Sequence, residues 1–387
     1  MGKSVIINKK FCIISGLAIR ENNRGTAALG YGAISFMLSR KFLFEGQNLL
    51  NLKFVRFPWK FKDSVEELFI QGKRWNLYTI YISSFEKRLF FSLHLSLPFS
   101  KLYKIKDNIS CVAAINGGDG FSDIYNTKTF MMRLPETLFA MTAGIPVILL
   151  PQTLGPFSYC ENFELAKKIL KYACYVFVRD NKYIDELKKI DIKYELTNDL
   201  SSYMQPEPWD VNIEHDSIGI NVSGLAYSNS FRTLTGQFTF YPELIDRLIC
   251  YFRQKGEKIY LIPHSYNYKN PEESNDDLYA CRMAYNRLSD KSNVILIDKD
   301  LSSPQIKYLI SKMSFFCGTR MHANFAAIYS KVPVFGLAYS YKFEGAFDAN
   351  GLDGANQTVM INNISREDID LIINKIDCFY NQIKIEL

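Results

Sequence analysis

The sequence predicts an α/β protein made of two doubly wound domains. The length of 387 residues exceeds what one hydrophobic core usually serves. Short apolar runs alternate with longer stretches of helical periodicity, which is typical of parallel sheets covered by helices. The segment 205–216, with two prolines and few aliphatic side chains, interrupts this alternation and is the best linker candidate. We therefore expect domains over residues 1–208 and 209–387.

The first domain is expected to contain six strands, with helices between them. The expected strands are 11–18, 50–57, 111–116, 146–150, 174–178 and, with a weaker pattern, 192–196. The expected helices are 26–40, 162–173 and 181–190. The segment from about 58 to 106 does not follow the alternation, and we interpret it as an insertion with helices that cover the sheet or reach toward a partner.

The alternation restarts in the second domain, where six further strands are expected. These are 217–223, 258–263, 293–298, 315–318, 332–338 and 358–361. Helices are expected near 241–255, 275–289 and 304–313, from 322 onward, and near 365–383.

The net charge of +6 is unevenly distributed along the chain. Residues 1–106 contain 18 Lys and Arg against 6 Asp and Glu, whereas the remainder contains 28 against 34. The basic part is also rich in Phe, Tyr and Trp, a combination that suits an anionic membrane surface or a polyanionic ligand. A solvated basic face over a Phe-rich core explains the same composition equally well. We expect no nucleic-acid partner.

Cysteine usage and hydropathy indicate a cytoplasmic protein. The eight cysteines show no CxxC spacing, which argues against a zinc site and a disulfide framework. The apolar segment 11–19 is too short to span a membrane, and three prolines interrupt the charge-free stretch 137–160. The expectation is a protein in the cytoplasm, either soluble or peripheral on the inner face of the cell membrane, with no bound metal.

Ligands of doubly wound sheets bind outside the carboxyl ends of the strands, so the residues after each strand are the site candidates. In the first domain, Gly117 and Gly118 would let the backbone approach an anion closely. Gln152 and Thr153 follow the next strand and offer hydrogen bonds. Arg179 follows the strand after that, where it binds an anion or pairs with Asp180. The alternative for Gly117 and Gly118 is a tight turn that binds no ligand. The alternative for Gln152 and Thr153 is a rigid loop bounded by prolines.

The second domain places GTRMHA (318–323) after a strand and at the start of a helix. A helix N-terminus with an adjacent arginine is suited to an anion, so Arg320 is a binding candidate. His322 would lie in the first turn, where the helix dipole favours neutral imidazole and proton exchange near neutral pH. The alternative is a hydrogen-bonded core histidine.

Two other strand ends of the second domain contribute candidates. His264 follows the strand 258–263, and Asp276 or Asp277 could orient it as a base. A surface histidine near a helix cap accounts for it equally well. Ser340 and Lys342 follow the strand 332–338 and could line the same cavity, although an exposed polar turn is an equal explanation.

Together these segments resemble the polysaccharide pyruvyl transferase family. The segments with this resemblance are NNRGTAAL (22–29), GGDGFSD (117–123), GIPVILLPQTLGPF (144–157), VRD (178–180), NDL (198–200), LIPH (261–264), GTRMHA (318–323) and VPVFGLAYSYK (332–342). Each is weakly specific alone, but they occur in family order over roughly residues 11–345. The resemblance implies a GT-B-like fold, in which two Rossmann-like domains face a cleft.

The resemblance also implies the reaction, in which pyruvate moves from phosphoenolpyruvate onto two hydroxyls of one sugar as a cyclic ketal. Arg179 and Arg320 match the family's donor-binding arginines, with Met321 and His322 beside them. We assign further residues to a donor-binding group and an acceptor-binding group. The expected donor-binding residues are completed by Gly117 and Gly118 of the first domain and by Ser340 and Lys342 of the second, which is the expected donor side. The expected acceptor side, in the first domain, consists of Arg24, Asp119, Asp123, Gln152 and Thr153.

The expected function is ketal formation in bacterial capsular or exopolysaccharide repeat-unit biosynthesis, on an acceptor such as a lipid-diphosphate-linked oligosaccharide. His322 is the first candidate for the acid–base group and His264 the second. No cofactor is expected, since phosphoenolpyruvate is a co-substrate. Two alternatives stay open: a glycosyltransferase that uses a sugar nucleotide, and an inactive scaffold of a saccharide assembly complex.

Overall fold

The computed structural model describes residues 10–386 except residues 96, 211, 212 and 215. The chain divides into two compact units. The first comprises the described residues up to Ile19 and Leu29–Met204, and the second comprises Arg20–Ala28 and the described residues from Gln205 onward. The division lies four residues before the expected one at 208, and the segment Arg20–Ala28 belongs to the second unit. Backbone pairing between Asn23 and Ser265 fixes this segment there.

The described residues of the first unit form an eight-stranded sheet. Its strands are β1 Phe11–Ser15, β2 Asn48–Val55, β3 Ser64–Ile70, β4 Lys73–Ser83, β5 Ile109–Ala114, β6 Val147–Gln152, β7 Tyr175–Val178 and β8 Glu195–Leu196. The spatial order is β3-β4-β2-β1-β5-β6-β7-β8, and β3 alone pairs antiparallel, with β4. Without β3, the seven parallel strands follow the order 3-2-1-4-5-6-7, which is the Rossmann arrangement with one added strand.

All six strands expected in this unit are present, but two expectations need correction. β1 ends at Ser15 rather than at residue 18, because Gly16 has a φ of +80° and turns the chain out of the sheet. The segment 58–106 contains the hairpin β3–β4 in addition to helices. Gln71 and Gly72 both have positive φ, which suits a two-residue hairpin turn, and Trp75 is buried on β4.

The helices of the first unit lie between these strands. They are α1 Arg24–Ser39, α2 Ser84–Leu93, α3 Lys101–Ile105, α4 Thr127–Met132, α5 Pro135–Ala143, α6 Cys160–Tyr172, α7 Ile184–Lys189 and α8 Leu200–Tyr203, where the first turn of α1 belongs to the second unit. Short 3-10 turns occur at Pro58–Lys60 and Lys106–Asn108.

The second unit has a six-stranded, fully parallel sheet in its described part. Its strands are β9 Ile218–Asn221, β10 Ile259–Leu261, β11 Val294–Leu296, β12 Phe315–Gly318, β13 Val334–Ala338 and β14 Thr358–Met360. The spatial order β11-β10-β9-β12-β13-β14 is the Rossmann order 3-2-1-4-5-6. All six expected strands are present.

The helices of the second unit connect these strands. They are α9 Gly224–Ser228, α10 Tyr241–Gln254, α11 Asp277–Arg287, α12 Ser303–Ile310, α13 Met321–Tyr329, α14 Lys342–Asp348, α15 Gly354–Gln357 and α16 Arg366–Glu386, with a 3-10 turn at Arg232–Leu234.

The central strands of each sheet are buried on both faces, as the apolar runs predicted. Successive residues of a strand point to opposite faces, so Ile13 and Ile14 of β1 pack into two different hydrophobic clusters of the first unit. In the second unit, Ile259 and Tyr260 of β10 are divided in the same way. The α/β class and two Rossmann-like domains are therefore confirmed.

The strand order also fixes where a ligand is expected in each unit. In the Rossmann order, the first and fourth parallel strands are neighbours whose connections leave in opposite directions, which opens a crevice at their carboxyl ends. This point lies after β1 and β5 in the first unit and after β9 and β12 in the second. Among the helices of the described residues, none is both long enough and apolar enough to cross a bilayer.

Candidate active site

Arg320 occupies the crevice position of the second unit. It follows β12 directly and is the N-cap residue of α13. Its backbone N–H donates to Oδ1 of Asn221, the last residue of the neighbouring strand β9, at 2.8 Å. The first and fourth strands of this sheet are therefore joined by a polar contact at the point where a ligand is expected.

The guanidinium of Arg320 is held by a buried carboxylate. Its Nη2 donates to Asp277 Oδ1 at 2.7 Å and to Asn275 Oδ1 at 2.9 Å, and its Nε donates to Asp277 Oδ1 at 3.0 Å. The side chain of Asp277 is inaccessible to solvent and that of Arg320 is 11% exposed. Burial alone would lower the pKa of Arg320, but the carboxylate more than offsets this and the pKa is raised. The arginine is therefore charged and fixed in direction.

Asp277 also organises the backbone around this arginine. Its Oδ1 accepts the N–H of Gly224 at 2.9 Å, and its Oδ2 accepts the N–H groups of His264 and Ser265 at 3.1 and 2.9 Å. The expectation that Asp276 or Asp277 orients the imidazole of His264 is thus corrected, since Asp277 binds the main chain there. Asp276 serves as the N-cap of α11, accepting from Tyr279 N.

His264 is buried, with 3% of its surface exposed. Burial, together with the neighbouring His322, Arg320 and Arg24 side chains, holds the pKa of His264 well below the ordinary value of 6.5. The imidazole of His264 is therefore neutral at physiological pH. A neutral imidazole is a poor proton donor, so His264 is poorly suited to start an acid-catalysed step.

His322 lies in the first turn of α13, as expected, and packs edge-on against Phe325 with ring centroids 5.6 Å apart. The N-terminal turn of α1 approaches it on another side. A Cβ atom on Gly25 would stand 2.7 Å from Cγ and Nδ1 of His322, so only glycine leaves room for the ring in its present place. Asn23 Oδ1 caps this turn by accepting the N–H of Gly25 at 3.0 Å.

This contact makes Gly25→Ala a test of the imidazole position. Alanine is favoured over glycine in a helix by about 1 kcal/mol, so the helix itself should not suffer. The methyl group has to displace the imidazole, and we expect catalytic turnover to fall by up to about 100-fold, as for an active group misplaced by about 1 Å. Steady-state kinetics measures the fall in turnover, and thermal unfolding checks that the stability of the protein is retained.

Gly345→Ala is the matched control for this substitution. Gly345 lies in α14, and nothing stands within 4 Å of the added Cβ. Equal turnover in the two variants would contradict the close approach of α1 to His322.

Arg24 lies in the second unit, close to His264. Its Nε donates to Leu301 O at 2.8 Å, its Nη1 to Glu21 O at 2.7 Å and its Nη2 to Asp300 Oδ1 at 2.9 Å. All three nitrogens of the buried guanidinium therefore bind neighbouring protein atoms. These bonds tie the segment Arg20–Ala28 to its unit, and the assignment of Arg24 to an acceptor stays a prediction.

The remaining candidates of this unit lie close to the ends of β12 and β13. Met321 begins α13 and packs partly against the hydrophobic cluster of α12 and α13. Ser340 follows β13, and its hydroxyl accepts the N–H of Lys342 at 3.4 Å as α14 begins. Their assignment to the donor stays a prediction.

The glycine-rich loop occupies the crevice position of the first unit. Asn116, Gly117 and Gly118 follow β5 with φ values of +49°, +68° and +84°, a run that L side chains rarely adopt. Asn116 Nδ2 donates to Gln152 Oε1 at 3.0 Å, and Gln152 Nε2 donates to Ala114 O at 3.1 Å. Gln152 is completely buried and braces the loop from the end of β6.

Arg179 points at this loop. A Cβ atom on Gly118 would stand 2.8 Å from its Nη1. The same Nη1 donates to Asp199 Oδ2 at 2.6 Å, and Nε donates to Thr153 Oγ1 at 3.1 Å. Burial alone would lower the pKa of Arg179, but Asp199 and then Asp180 more than offset it, so the pKa is raised. The Thr153 hydroxyl also donates to Asp180. Thr153 and Asp180 therefore both help to hold Arg179 in place.

Arg133 is a second arginine at the same loop, and the sequence analysis missed it. Its Nη1 donates to Asn116 O at 2.9 Å. A Cβ atom on Gly120 would overlap with Arg133 Nη1, at a distance of 1.3 Å. Its guanidinium lies 5.7 Å from the ring centre of Tyr125. Arg133 ends α4 instead of following a strand, so the strand-end rule does not select it. Two guanidinium groups therefore approach one glycine loop.

The two acidic candidates of the loop have different surroundings. Asp119 Oδ2 accepts from Tyr125 OH at 2.7 Å, and burial together with this carboxylate raises the pKa of Tyr125 to about 12. Asp123 is buried and accepts the N–H groups of Ser158 at 2.8 Å and Tyr159 at 3.1 Å, at the start of α6. Although burial opposes it, a hydrogen bond from Asn162 Nδ2, together with these two backbone donors, lowers the pKa of Asp123. Asp123 thus supports the loop, and an acceptor role for either carboxylate stays a prediction.

Over the described ranges, the His, Cys, Asp and Glu side chains form no group of three or more suited to holding a metal ion. The side chains and backbone described at the two crevices present guanidinium charge, N–H groups and imidazole.

Solved structures with similar folds support the architecture. The chain is 12% identical to a UDP-GlcNAc 2-epimerase from Methanocaldococcus jannaschii, with a TM-score of 0.50, covering 95% of this chain and 91% of the epimerase. It is 11% identical to a putative UDP-N-acetylglucosamine 2-epimerase from Listeria monocytogenes, with a TM-score of 0.51 and coverages of 96% and 88%. At these identities the likeness shows the fold alone, and it confirms the predicted GT-B-like class of two Rossmann-like domains.

The comparison at the level of sequence is more specific. No curated protein matches the chain. The sequence profile of the polysaccharide pyruvyl transferase family matches residues 40–341, a range that contains the glycine loop, Arg179, His264, Arg320 and His322. The segment 22–29, which contributed to the resemblance, lies outside this range. Because the match spans more than three quarters of the 387 residues, the chain belongs to the polysaccharide pyruvyl transferase family.

Proposed function

We propose that this protein transfers pyruvate from phosphoenolpyruvate to two hydroxyls of one sugar, forming a cyclic ketal and releasing phosphate. The observation that supports this most is the pairing of family membership with Arg320 and His322, which occupy the crevice position of the second Rossmann-like unit. A small dianion with a reactive double bond needs fixed positive charge and one group that exchanges a proton.

The two arginines that match the family's donor-binding residues are suited to anions for the same reason. Each is held by a buried aspartate, Arg320 by Asp277 and Arg179 by Asp199. The bonds of Arg320 to Asp277 and Asn275 use Nε and Nη2, so we propose that its Nη1 meets the donor. The bonds of Arg179 use Nε and Nη1, so we propose Nη2 for the same task. The aspartates aim each guanidinium before the donor arrives, which reduces the entropy cost of binding.

The chemical step needs a proton at the methylene carbon of phosphoenolpyruvate. We propose that His322 supplies it, which makes the neighbouring carbon electrophilic. One sugar hydroxyl then forms the first C–O bond and its proton passes to the imidazole. The second hydroxyl forms the other C–O bond as the C–O bond to phosphate breaks, and its proton leaves with phosphate. The imidazole ends protonated, as it began, so one histidine serves as acid and base.

The context of the reaction is also part of the proposal. We propose a lipid-diphosphate-linked oligosaccharide as acceptor, in capsular or exopolysaccharide repeat-unit biosynthesis at the inner face of the cell membrane. Apart from Arg179, which is proposed for the donor, the first unit is proposed as the acceptor side, and the second unit is proposed as the donor side. We propose that no metal or further cofactor takes part, because the acid–base group and the anion-binding charges are all side chains.

The test is to incubate the protein with phosphoenolpyruvate and a panel of saccharides, both water-soluble and lipid-linked. A ketal adds about 70 Da to the acceptor by mass spectrometry, with one phosphate released per addition, as the mass of pyruvate less water requires. UDP- and GDP-sugars in place of phosphoenolpyruvate are the matched controls. Sugar transfer from a nucleotide, with no ketal from phosphoenolpyruvate on any acceptor, would overturn the proposal. Neither a ketal with phosphate from phosphoenolpyruvate nor a glycoside with free nucleoside diphosphate from a sugar nucleotide would indicate an inactive scaffold.

A further inference from the structure

An exposed apolar surface with basic surroundings lies on the first unit. We call it the basic aromatic surface. Its apolar members are Phe57, Trp59, Phe61, Leu93, Leu95, Leu97 and Phe99. They come from two loops, one after β2 and one after α2, and both belong to the segment for which the sequence analysis found no place in the alternation.

The side chains of this surface project into solvent to an unusual degree. Trp59 is 75% exposed and Phe99 is 83% exposed, although large aromatic side chains are usually well buried. Leu93 and Leu95 are 58% and 57% exposed. Phe99 has a φ of +63°, a left-handed conformation that is unusual for a bulky residue and indicates that the chain there is constrained.

The two loops lie side by side. Lys101, which begins α3 just after Phe99, forms an ion pair of 2.6 Å with Asp63, just after the first loop. Asp63 also accepts the N–H of Tyr81 at 3.0 Å, and the Tyr81 ring stacks on Phe61 with centroids 4.8 Å apart. The ion pair therefore brings the ends of the two loops together into one patch, and the ring stack holds Phe61 of the first loop against β4.

Positive charge surrounds this patch. Residues 56–106 contain ten Lys and Arg against four Asp and Glu. The Arg56 guanidinium and the Lys60 ammonium lie 5.1 and 5.2 Å from the ring centre of Phe57. Lys87 lies 5.0 Å from the ring centre of Phe54. Cations whose stems cover aromatic rings can keep their charge at the lipid headgroups while the rings enter the apolar boundary.

We propose that the basic aromatic surface docks onto an anionic lipid bilayer. Exposed Trp, Phe and Leu tips among Lys and Arg suit the boundary between anionic headgroups and acyl chains. Lysine is depleted at protein–protein interfaces, so this composition favours a bilayer over a protein partner. The proposal rests on the proposed function for its purpose, since docking would bring the enzyme to a lipid-linked acceptor.

The test is flotation of the unmodified protein with vesicles in the absence of substrates. We expect co-flotation with vesicles of phosphatidylcholine and phosphatidylglycerol, weaker association with phosphatidylcholine alone, and release at about 1 M salt, where the screening length falls to about 3 Å. The double substitution Trp59→Ala and Phe99→Ala should lower partitioning by about tenfold or more. Leu371→Ala removes another exposed apolar side chain, 65% exposed, from α16 of the other unit and should not change the partitioning.

Two outcomes would overturn docking: no co-flotation of the unmodified protein with anionic vesicles, or equal partitioning of the double variant and the unmodified protein. Because no substrate is present, neither outcome bears on pyruvyl transfer. The double variant should retain full activity on a water-soluble acceptor. A loss of that activity would show that these side chains serve the acceptor itself and would likewise contradict a docking role.

Discussion

Replacing His322 by alanine is expected to lower the rate of pyruvyl transfer by about two to four orders of magnitude, the range usual for loss of an acid–base group. His322 lies in the first turn of α13, next to Arg320, whose guanidinium is proposed to bind the donor. The loss should appear in kcat, while KM for phosphoenolpyruvate changes little, because the arginines remain. Rates of phosphate release and ketal formation, measured at saturating phosphoenolpyruvate, give the change in kcat.

His264→Gln is the informative comparison for this experiment. The pKa of His264 lies well below its ordinary range, so it cannot supply a proton at neutral pH, and its substitution should slow the chemical step far less than that of His322. Circular dichroism and thermal unfolding establish that each variant is folded. Near-native turnover of His322→Ala would eliminate the assigned role, and a greater loss in His264→Gln would transfer that role to His264.

The sequence predicted most strands and the order of elements well, because the central parallel strands are buried on both faces and read as continuous apolar runs. It also located Arg179 and Arg320, since both follow a strand directly. The hairpin β3–β4 was missed, because an edge hairpin with one exposed face does not form such a run. Exposed Val65 and Phe69 alternate there with partly or fully buried side chains.

Parts of the candidate site depend on contacts that no local pattern reveals. Arg133 meets the glycine loop from the end of a helix, through a contact with Asn116 that depends on the fold of the loop. Asp277 was considered as a partner of the His264 imidazole, but it binds Arg320, 43 residues away in sequence. Such pairings follow from sheet order, because the connections after β9, β10 and β12 emerge at one edge of the sheet.

The Arg320–Asp277 pair gives the second large prediction, on both stability and donor binding. Arg320→Ala would leave the carboxylate of Asp277, which has no solvent exposure, without its cation. Breaking a buried pair by removing one partner costs about 3–5 kcal/mol, and we expect a loss of this size in the free energy of unfolding. KM for phosphoenolpyruvate should rise at least about tenfold, since charge-assisted hydrogen bonds contribute about 1.5–3 kcal/mol each. Urea unfolding and steady-state kinetics measure the two effects.

Arg320→Lys separates the structural role from the binding role. An ammonium can still compensate the charge of Asp277, so most of the stability should return. A single ammonium cannot bind Asp277 and Asn275 and also offer the flat guanidinium edge to the donor, so KM should stay high. If Arg320→Lys restored both stability and KM, Arg320 would support the fold and not the donor. If Arg320→Ala unfolded at the same urea concentration as the unmodified protein, the buried pair itself would be contradicted, because an uncompensated carboxylate in that position cannot be free of cost.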